Sequence, residues 1–550
     1  MGAMVDLDAM RDGELTARSR NTHRALVCGS TGCLSAGAAG VRAALQADVE
    51  AAGRSDTVQV LATGCRGLCS RGPLVQIDER GEDPVLYQLV DEAGAHAIAG
   101  DLLAGTTNAE VPVVPPDSPF MIHQEKIVLA NAGRIDPDRL EDYVAEGGYR
   151  ALHQVLHAMT PAEVLDAIDR SGLRGRGGAG YPTGRKWQLL ADAPGDDKTV
   201  VANGDEGDPG AFMDRTIMES DPHRVLEGLA IAAYATGANR GFIYGRAEYP
   251  LAMERLERAI RAAKRGRLLG KGILGTDFAF DVEIRIGAGA FVCGEETALL
   301  ASIEGRRGNP TLRPPYPTER GLFGRPTMIQ NVETLANIAP IITRGPGWFR
   351  AIGTPESPGT KVFALAGSLT LTGLIEVPMG ISLRTIVEEM GGGVAGGRTF
   401  KAAQTGGPSG GCIPDRFLDT PVDYEHLRAL GSMMGSGGLV VIDDTVSMPE
   451  FARFYMAFCR DESCGKCVPC RAGTVQLHAL LDRICEGRGR RRDLQHMESL
   501  CRTVQATSLC GLGQSAPNPV VSTLEHFRHE YEALLIDEPA TAAASTGGAA

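Results

Sequence analysis

The sequence predicts an α/β multidomain protein that ends in a helical bundle. Its 550 residues exceed what one hydrophobic core usually organises. Strand-like and helix-like runs alternate between about residues 121 and 355, the pattern of a sheet covered by helices. From about residue 441 the apolar period turns almost wholly helical, as in a bundle.

In chain order, residues 1–22 are expected as a tail, whose opening MGAMVDLDAMRDGEL is acidic and lacks the basic-then-apolar order of a secretory signal. Residues 23–105 open with the strand HRALVC, a cysteine-bearing loop and an amphipathic helix; strands TVQVLA and LVQI then flank the loop TGCRGLCSRGP. Residues 106–120, with four prolines, read as a linker. In 121–355 the strands TVVAN, GFIYG and DVEIRIGAGAFV alternate with helices such as PHRVLEGLAIAAYATGA. Residues 356–440 place KVFALAG, GLIEVP and FKAAQTGG around one helix, SLRTIVEEM, a small mixed β module. Residues 441–535 are helical, and the Ala-rich 536–550 are expected to be disordered.

A net charge of −13 excludes nucleic acid as a ligand, since phosphate binding needs a basic surface. No apolar stretch reaches the roughly 18 residues of a bilayer span, so no direct membrane insertion is expected and the expected address is cytoplasmic. In that compartment the 13 cysteines stay reduced, and metal ligation becomes the leading explanation where they cluster.

Cys464, Cys467 and Cys470 stand at C-x2-C-x2-C spacing, with Cys510 as a remote fourth. Three close thiolates and one distant one suit a [4Fe-4S] cluster better than a structural zinc, whose ligands come as paired knuckles. Cys28 and Cys33, with Cys65 and Cys69, lie in two loops after successive strands. Two loops giving two ligands each suit the two irons of a [2Fe-2S] cluster, with zinc as the alternative. Cys293, Cys412, Cys459, Cys485 and Cys501 are isolated in apolar or helical contexts and read as inert thiols.

Gly175, Gly177 and Gly180 match a dinucleotide fingerprint by pattern, but a helix precedes them where a strand is required. The loop still suits a phosphate or a ring, with Arg176, Arg185 and Lys186 as cationic partners, against a plain surface loop as the competing reading. Asp205, Glu206 and Asp208 follow one strand and Glu295 and Glu296 another. Strand ends are where α/β sheets bind ligands, although helix-start acids favoured by the helix dipole give the same pattern.

GRGGAGYPTGRKW, NGDEGDPGAFMDR, GAGAFVCGEETAL, RPPYPTERGLFGRPT, NVETLAN, GSMMGSGGL and ESCGKCVPCRAG, in this order, closely resemble the NADH-binding flavoprotein subunit of respiratory complex I. They look most like its relatives in soluble NAD(P)-linked hydrogenases and formate dehydrogenases. The resemblance runs from about residue 123 to 531. The first domain resembles the thioredoxin-like [2Fe-2S] domain of the neighbouring complex I subunit, here fused in front. The resemblance implies a Rossmann-like FMN and NAD domain, a β-grasp-like middle module and a helical [4Fe-4S] domain.

Carried over by motif, FMN would lie on Gly175, Arg176, Gly177 and Lys186, with Asn203, Asp205 and Glu206 beneath it. Gly294, Glu295, Asn331 and Thr334 would close its pocket, with Gly511 and Leu512 nearby. NAD(H) would enter over Gly178, its adenine near Tyr181 and Tyr316, with Asp208 and Glu296 near the nicotinamide or ribose. Phe291 stands where the family usually has Tyr, Asp208 where it has Glu, and Gln330 where Asn is frequent; the first two look like the hydrogenase-type relatives.

The implied role is that of a diaphorase subunit exchanging hydride between NAD and FMN, with no acid–base catalytic residue required. Single electrons pass through the clusters, with a small [2Fe-2S] subunit and a large catalytic subunit of hydrogenase or formate dehydrogenase type as expected partners. An electron-bifurcating complex is an alternative, weakened because no paired ferredoxin-like domain follows Tyr531. A non-catalytic metal-binding scaffold is the other.

Overall fold

A computed structural model describes residues 6–106 and 110–536. Its first sheet comprises β1 (His23–Cys28), β2 (Val58–Thr63), β3 (Val75–Glu79) and β4 (Val85–Tyr87), in the order β2-β1-β3-β4. β1 runs parallel to β2 and antiparallel to β3, so the β1–β2 link must cross over, which the helix Ala38–Ala51 does. Its buried Val41, Leu45 and Val49 recur at helical spacing and face the sheet side.

The second sheet comprises β5 (Lys198–Asn203), β6 (Ala238–Arg246), β7 (Gly270–Lys271), β8 (Ala279–Gly287) and β9 (Thr327–Asn331), ordered β7-β8-β6-β5-β9. β8, β6, β5 and β9 are mutually parallel. Val200, Val201 and Ala202 of β5 are fully buried, as expected for a parallel strand covered on both faces. Against it lies the helix Pro222–Thr236, buried almost all round; Asp221 caps its start and Gly237, at φ 73°, ends it. The chain first winds outward through β5, β6 and β8 and then returns to the other side of β5 as β9. The order therefore reverses between β5 and β9.

The third sheet holds β10 (Thr360–Gly367), β11 (Gly373–Pro378), β12 (Phe400–Thr405), β13 (Cys412–Pro414) and β14 (Gly438–Asp443), ordered β11-β10-β14-β12-β13. Central β10 and β14 are parallel, and an antiparallel partner flanks each. The helical end consists of Met448–Asp461, Val468–Cys485, Arg491–Thr507, Gly511–Ser515 and Asn518–Glu532.

Three expectations need correction. Residues 7–20, read as tail, form a helix: Asp6 caps it, Leu7 and Glu14 are buried, and Arg18 reaches Glu14, Asp142 and Glu146. Its anchoring is mostly ionic, with Leu7 and Met10 as its apolar contacts to the core, too few for an apolar-period reading to find it. The Pro-rich linker is partly ordered on the first sheet, where Val114 N–H donates to the Leu86 carbonyl at 2.8 Å. The middle module has a second helix, Tyr424–Ala429, and extends to Asp443. Of the segment expected to be disordered, residues 537–550 lie outside the described residues.

Candidate functional site

The reversal of strand order places a crevice beyond the carboxyl ends of β5 and β9, where open α/β sheets take their ligands. The glycine loop lies there. It is not a strand-to-helix turn but a pinched loop between two helices, closed by Gly175 N–H on the Tyr181 carbonyl (2.8 Å) and Thr183 N–H on the Leu173 carbonyl (2.9 Å). Gly178 (φ 131°) and Gly180 (φ 63°) adopt backbone that side chains resist, and a Cβ on Gly180 would stand 2.7 Å from the Tyr424 ring. A Cβ on Gly178 would come to 3.4 Å from the Gly435 backbone. The absence of side chains thus lets backbone from two domains close on one another.

Asn203, at the end of β5, donates to the Gly294 carbonyl at 3.1 Å and accepts from Asp205 N–H at 3.0 Å. Asn331, at the end of β9, caps the next helix through Thr334 N–H (3.1 Å) and donates to Asp214 at 2.6 Å. The Thr334 hydroxyl accepts Arg176 N–H at 2.8 Å. Six of the expected residues, Arg176, Asn203, Asp205, Gly294, Asn331 and Thr334, from four chain segments thereby lock the floor of the crevice.

The charged candidates divide in two. The Arg176 side chain is fully buried and donates to the carbonyls of Thr360 (3.0 Å), Pro358 (2.7 Å) and Arg174 (3.1 Å); as a cation for a phosphate it is corrected to an interdomain brace. Glu206 accepts from Asp214 N–H (3.0 Å) and Arg215 N–H (3.1 Å), capping the helix Met213–Ser220. Glu295 likewise caps its own helix through Thr297 and Ala298 N–H, both at 3.0 Å. For both glutamates the helix-cap reading holds.

The remaining charges face the crevice and its rim. Asp205 is 1% exposed in its side chain and stands 3.4 Å from Arg246. Its Oδ2 is buried without a hydrogen-bond partner and faces Gly294. Burial pushes its carboxyl up to about 7 against the pull of Arg246. Desolvation raises Asp208 to about 6 while the Ser436 hydroxyl, donating at 2.9 Å, opposes it. Lys186 pairs with Glu296, and Arg313 stands 3.5 Å from the same carboxylate. That contact brings the Pro-rich segment over the rim, with Tyr181 and Tyr316 about half exposed. Arg185 is exposed.

Behind the crevice wall lie the C-terminal cysteines. Val201 of β5, Tyr244 of β6 and Ile329 of β9 share one apolar cluster with Val292, Cys293, Cys470, Cys510 and Leu512, against which Phe291, Cys464 and Cys467 pack. Burial pushes the Cys470 thiol up to about 11, and Cys467, Cys510 and Cys464 add to it, so the four thiols are gathered. Glu462 accepts Phe291 N–H at 2.8 Å and the Phe291 ring meets Phe458 edge-on at 5.3 Å. Gly511, exposed, opens the short helix after Cys510.

The first domain gathers its cysteines as well. Hydrogen bonding with Cys33 and Cys65 holds the Cys28 thiol well below its ordinary value, and the same contacts hold Cys33 and Cys65 above theirs. The Cys69 sulfur stands 3.7 Å from Cys65. Among the described residues, no three His, Cys, Asp or Glu side chains are arranged to hold a single metal ion. The other cysteines are buried or half-buried.

The residues present fit the expected groups. Two all-thiolate quartets have the soft donors that iron–sulfur clusters require. The orphaned Asp205 oxygen suits a hydroxyl-bearing chain, and the side-chain-free glycine loop suits a flat ring or phosphate. The cap geometry of Asn331, the bracing by Asp214 and the Ser436–Asp208 contact lay outside sequence reasoning. Only the Asn-x-x-Thr spacing of a helix start hinted at the first.

Comparison with known proteins bears on this geometry. Residues 168–340 match the Nuo51 FMN-binding domain, and residues 450–534 match the NADH-ubiquinone oxidoreductase-F iron-sulfur binding region. The chain is 54% identical over 415 residues to the HndC subunit of the NADP-reducing hydrogenase of Solidesulfovibrio fructosivorans, covering 76% of this chain and 84% of that one. It is 48% identical to the NADH-quinone oxidoreductase F 2 subunit of Rhizobium meliloti (74% and 97% covered). To the alpha subunit of the NAD-reducing hydrogenase HoxS of Cupriavidus necator it is 36% identical (86% and 76% covered). A solved NAD+-reducing [NiFe]-hydrogenase in the H2-reduced state superposes with a TM-score of 0.67 at 29% identity, covering 97% of this chain and 90% of that one.

Proposed function

Because the chain belongs to the family that unites the F-type subunits of NADH-quinone oxidoreductase with the hydrogenase diaphorase subunits, we propose that it is the NAD-linked flavoprotein subunit of a multi-subunit redox complex. It holds FMN in the crevice and a [4Fe-4S] cluster on Cys464, Cys467, Cys470 and Cys510. One observation carries the reading: strands that end in the crevice and the C-terminal cysteines belong to the same apolar cluster, so a ligand in the crevice lies close to the thiolates. When bound, FMN exchanges hydride with a nicotinamide and single electrons with iron–sulfur centres. The residues do the rest: Gly175, Gly177 and Gly178 admit the ring, Asn203, Asp205, Asn331 and Thr334 fix it, and Lys186 and Glu296 order the nucleotide at the rim. Phe291, Val292 and Leu512 wall the crevice from the thiolates.

The domain readings follow as part of this proposal. β1–β4, with a crossover helix after β1 and a helix after β4, support a thioredoxin-like domain over 23–105 that holds [2Fe-2S] on Cys28, Cys33, Cys65 and Cys69. Coverage of 97% of the chain by the hydrogenase superposition supports it too. The reversed parallel order supports a Rossmann-like domain over 121–355, and the parallel central pair with flanking antiparallel strands supports a β-grasp-like module over 356–440. The helical [4Fe-4S] domain is read over 441–535. The names of the relatives support a hydrogenase-type partner, with a formate dehydrogenase as the other member of the same reading. Among the described residues no helix is long and apolar enough to cross a membrane, and the free thiols favour the cytoplasm.

The purified chain should release FMN and reduce ferricyanide with NADH. Release of FAD, or dye reduction no faster than in a Cys464→Ser and Lys186→Ala double variant, would refute the reading.

A further inference from the structure

The first domain docks through its cysteine loops. Thr31, between Cys28 and Cys33, gives its N–H (3.1 Å) and hydroxyl (2.5 Å) to the carboxylate of Glu219, which is 1% exposed. Arg255, 4% exposed, bridges the same junction: one nitrogen donates to the Glu219 carbonyl (2.6 Å) and another to the carbonyl of Gly29, the residue after Cys28 (2.9 Å). The Ser220 hydroxyl accepts Cys65 N–H at 3.0 Å, and a Cβ on Gly64 would stand 2.3 Å from Ser220. On the far side, the Gly67 carbonyl accepts Leu374 N–H at 2.7 Å. Glu219 and Ser220 end the helix Met213–Ser220, whose other end Glu206 caps at the crevice. This helix is 8 residues long, about 12 Å at 1.5 Å per residue.

A buried carboxylate and a buried guanidinium of the flavin domain thus lie against the first ligand loop, inside a protein medium where charges are weakly screened. Iron–sulfur potentials respond to nearby charge and to hydrogen bonding. We propose that Glu219 and Arg255 are positioning residues that set, with opposite sign, the reduction potential of the centre held by Cys28, Cys33, Cys65 and Cys69. The inference rests on the reading that this quartet holds a [2Fe-2S] cluster. Reduction places one electron, and one negative charge, on the centre. Glu219 opposes that charge and Arg255 favours it.

The test is a redox titration of the full-length protein, followed by EPR, with dithionite as reductant. Glu219→Gln keeps an acceptor for Thr31 and should raise the midpoint potential; Arg255→Gln should lower it. Each shift is expected to change the reduced-to-oxidised ratio at fixed potential at least about tenfold, about 59 mV for a one-electron couple. The [4Fe-4S] midpoint and the flavin content should stay unchanged. Shifts of the same sign, no shift, or loss of the signal in both variants with flavin retained would overturn the inference, because a merely structural clamp gives those results. A wild-type chain lacking any [2Fe-2S] signal, with flavin and [4Fe-4S] present, would instead overturn the cluster reading beneath it.

Discussion

Glu296 is shared between Lys186 and Arg313: one carboxylate oxygen pairs with the ammonium, and the other stands 3.5 Å from the guanidinium. Arg313, a cation able to pair with a 2′-phosphate, is therefore engaged by an acid on the crevice rim, and a phosphate arriving there meets like charge. NADH should be preferred over NADPH by at least about tenfold in kcat/KM, about 1.4 kcal/mol. Glu296→Ala frees both cations and should reduce that preference about tenfold, as initial rates of ferricyanide reduction with each nucleotide will report. An unchanged ratio would place the pair outside the nucleotide path.

Lys186→Ala should lower NADH-driven dye reduction at least tenfold while the EPR signals of the iron–sulfur centres proposed above persist. Lys186 packs at the crevice and reaches neither cysteine quartet, so loss of the signals together with activity would mean that it holds the fold instead.

Asp205 makes stability depend on pH. Its carboxyl is raised from 3.8 to about 7, chiefly by burial, so the folded state binds a proton that the unfolded chain releases between those values. The stabilisation is fully present below about 4 and is lost as pH rises through about 7. Asp205→Asn mimics the protonated form, so Tm should rise by a few degrees at pH 8 and change little at pH 4. A drop at both values would show that the charge is needed for the Arg246 contact.

Lys361 and Glu333 form an ion pair with side chains 0% and 1% exposed, and Glu333 also accepts Val362 N–H at 2.9 Å. Lys361→Met leaves a buried carboxylate without its counter-charge, which typically costs about 3–5 kcal/mol. Urea denaturation should show that loss, and the double variant Lys361→Met, Glu333→Gln should recover part of it. A double variant weaker than Lys361→Met alone would contradict the desolvation argument.

Gly180→Ala sets a Cβ 2.7 Å from the Tyr424 ring at φ 63°. The loop must shift, so flavin content after gel filtration should fall well below that of wild type while the helical signal in circular dichroism is kept. Full retention of flavin would show that this turn is not part of the cradle.

The iron–sulfur character of the C-terminal cysteine region was legible because three thiolates at short spacing act through chain proximity, and the sheet segments were legible because buried parallel strands are apolar throughout. The acids were harder. Glu206 and Glu296 look alike as letters, yet one turns onto amides 8 and 9 residues ahead while the other meets Lys186 from a distant helix. Arg176 shows the limit more plainly: its partners Pro358 and Thr360 lie in another domain, 182 and 184 residues away. No local pattern encodes that pairing. The opening helix was missed for the same reason, since its ion pairs, Arg18 with Asp142 and Glu146 and Glu14 with Arg139, reach residues more than 120 positions away.

The grip on the first domain by its own ligand loops also constrains biogenesis. Cys28, Cys33 and Cys65 are 0%, 3% and 7% exposed, and part of what covers their loops is the helix ending in Glu219 and Ser220. For the [2Fe-2S] centre proposed above, this burial sets an order of assembly: loading comes first and closure second, with the filled thiolate loop as the template on which the two halves of the chain meet.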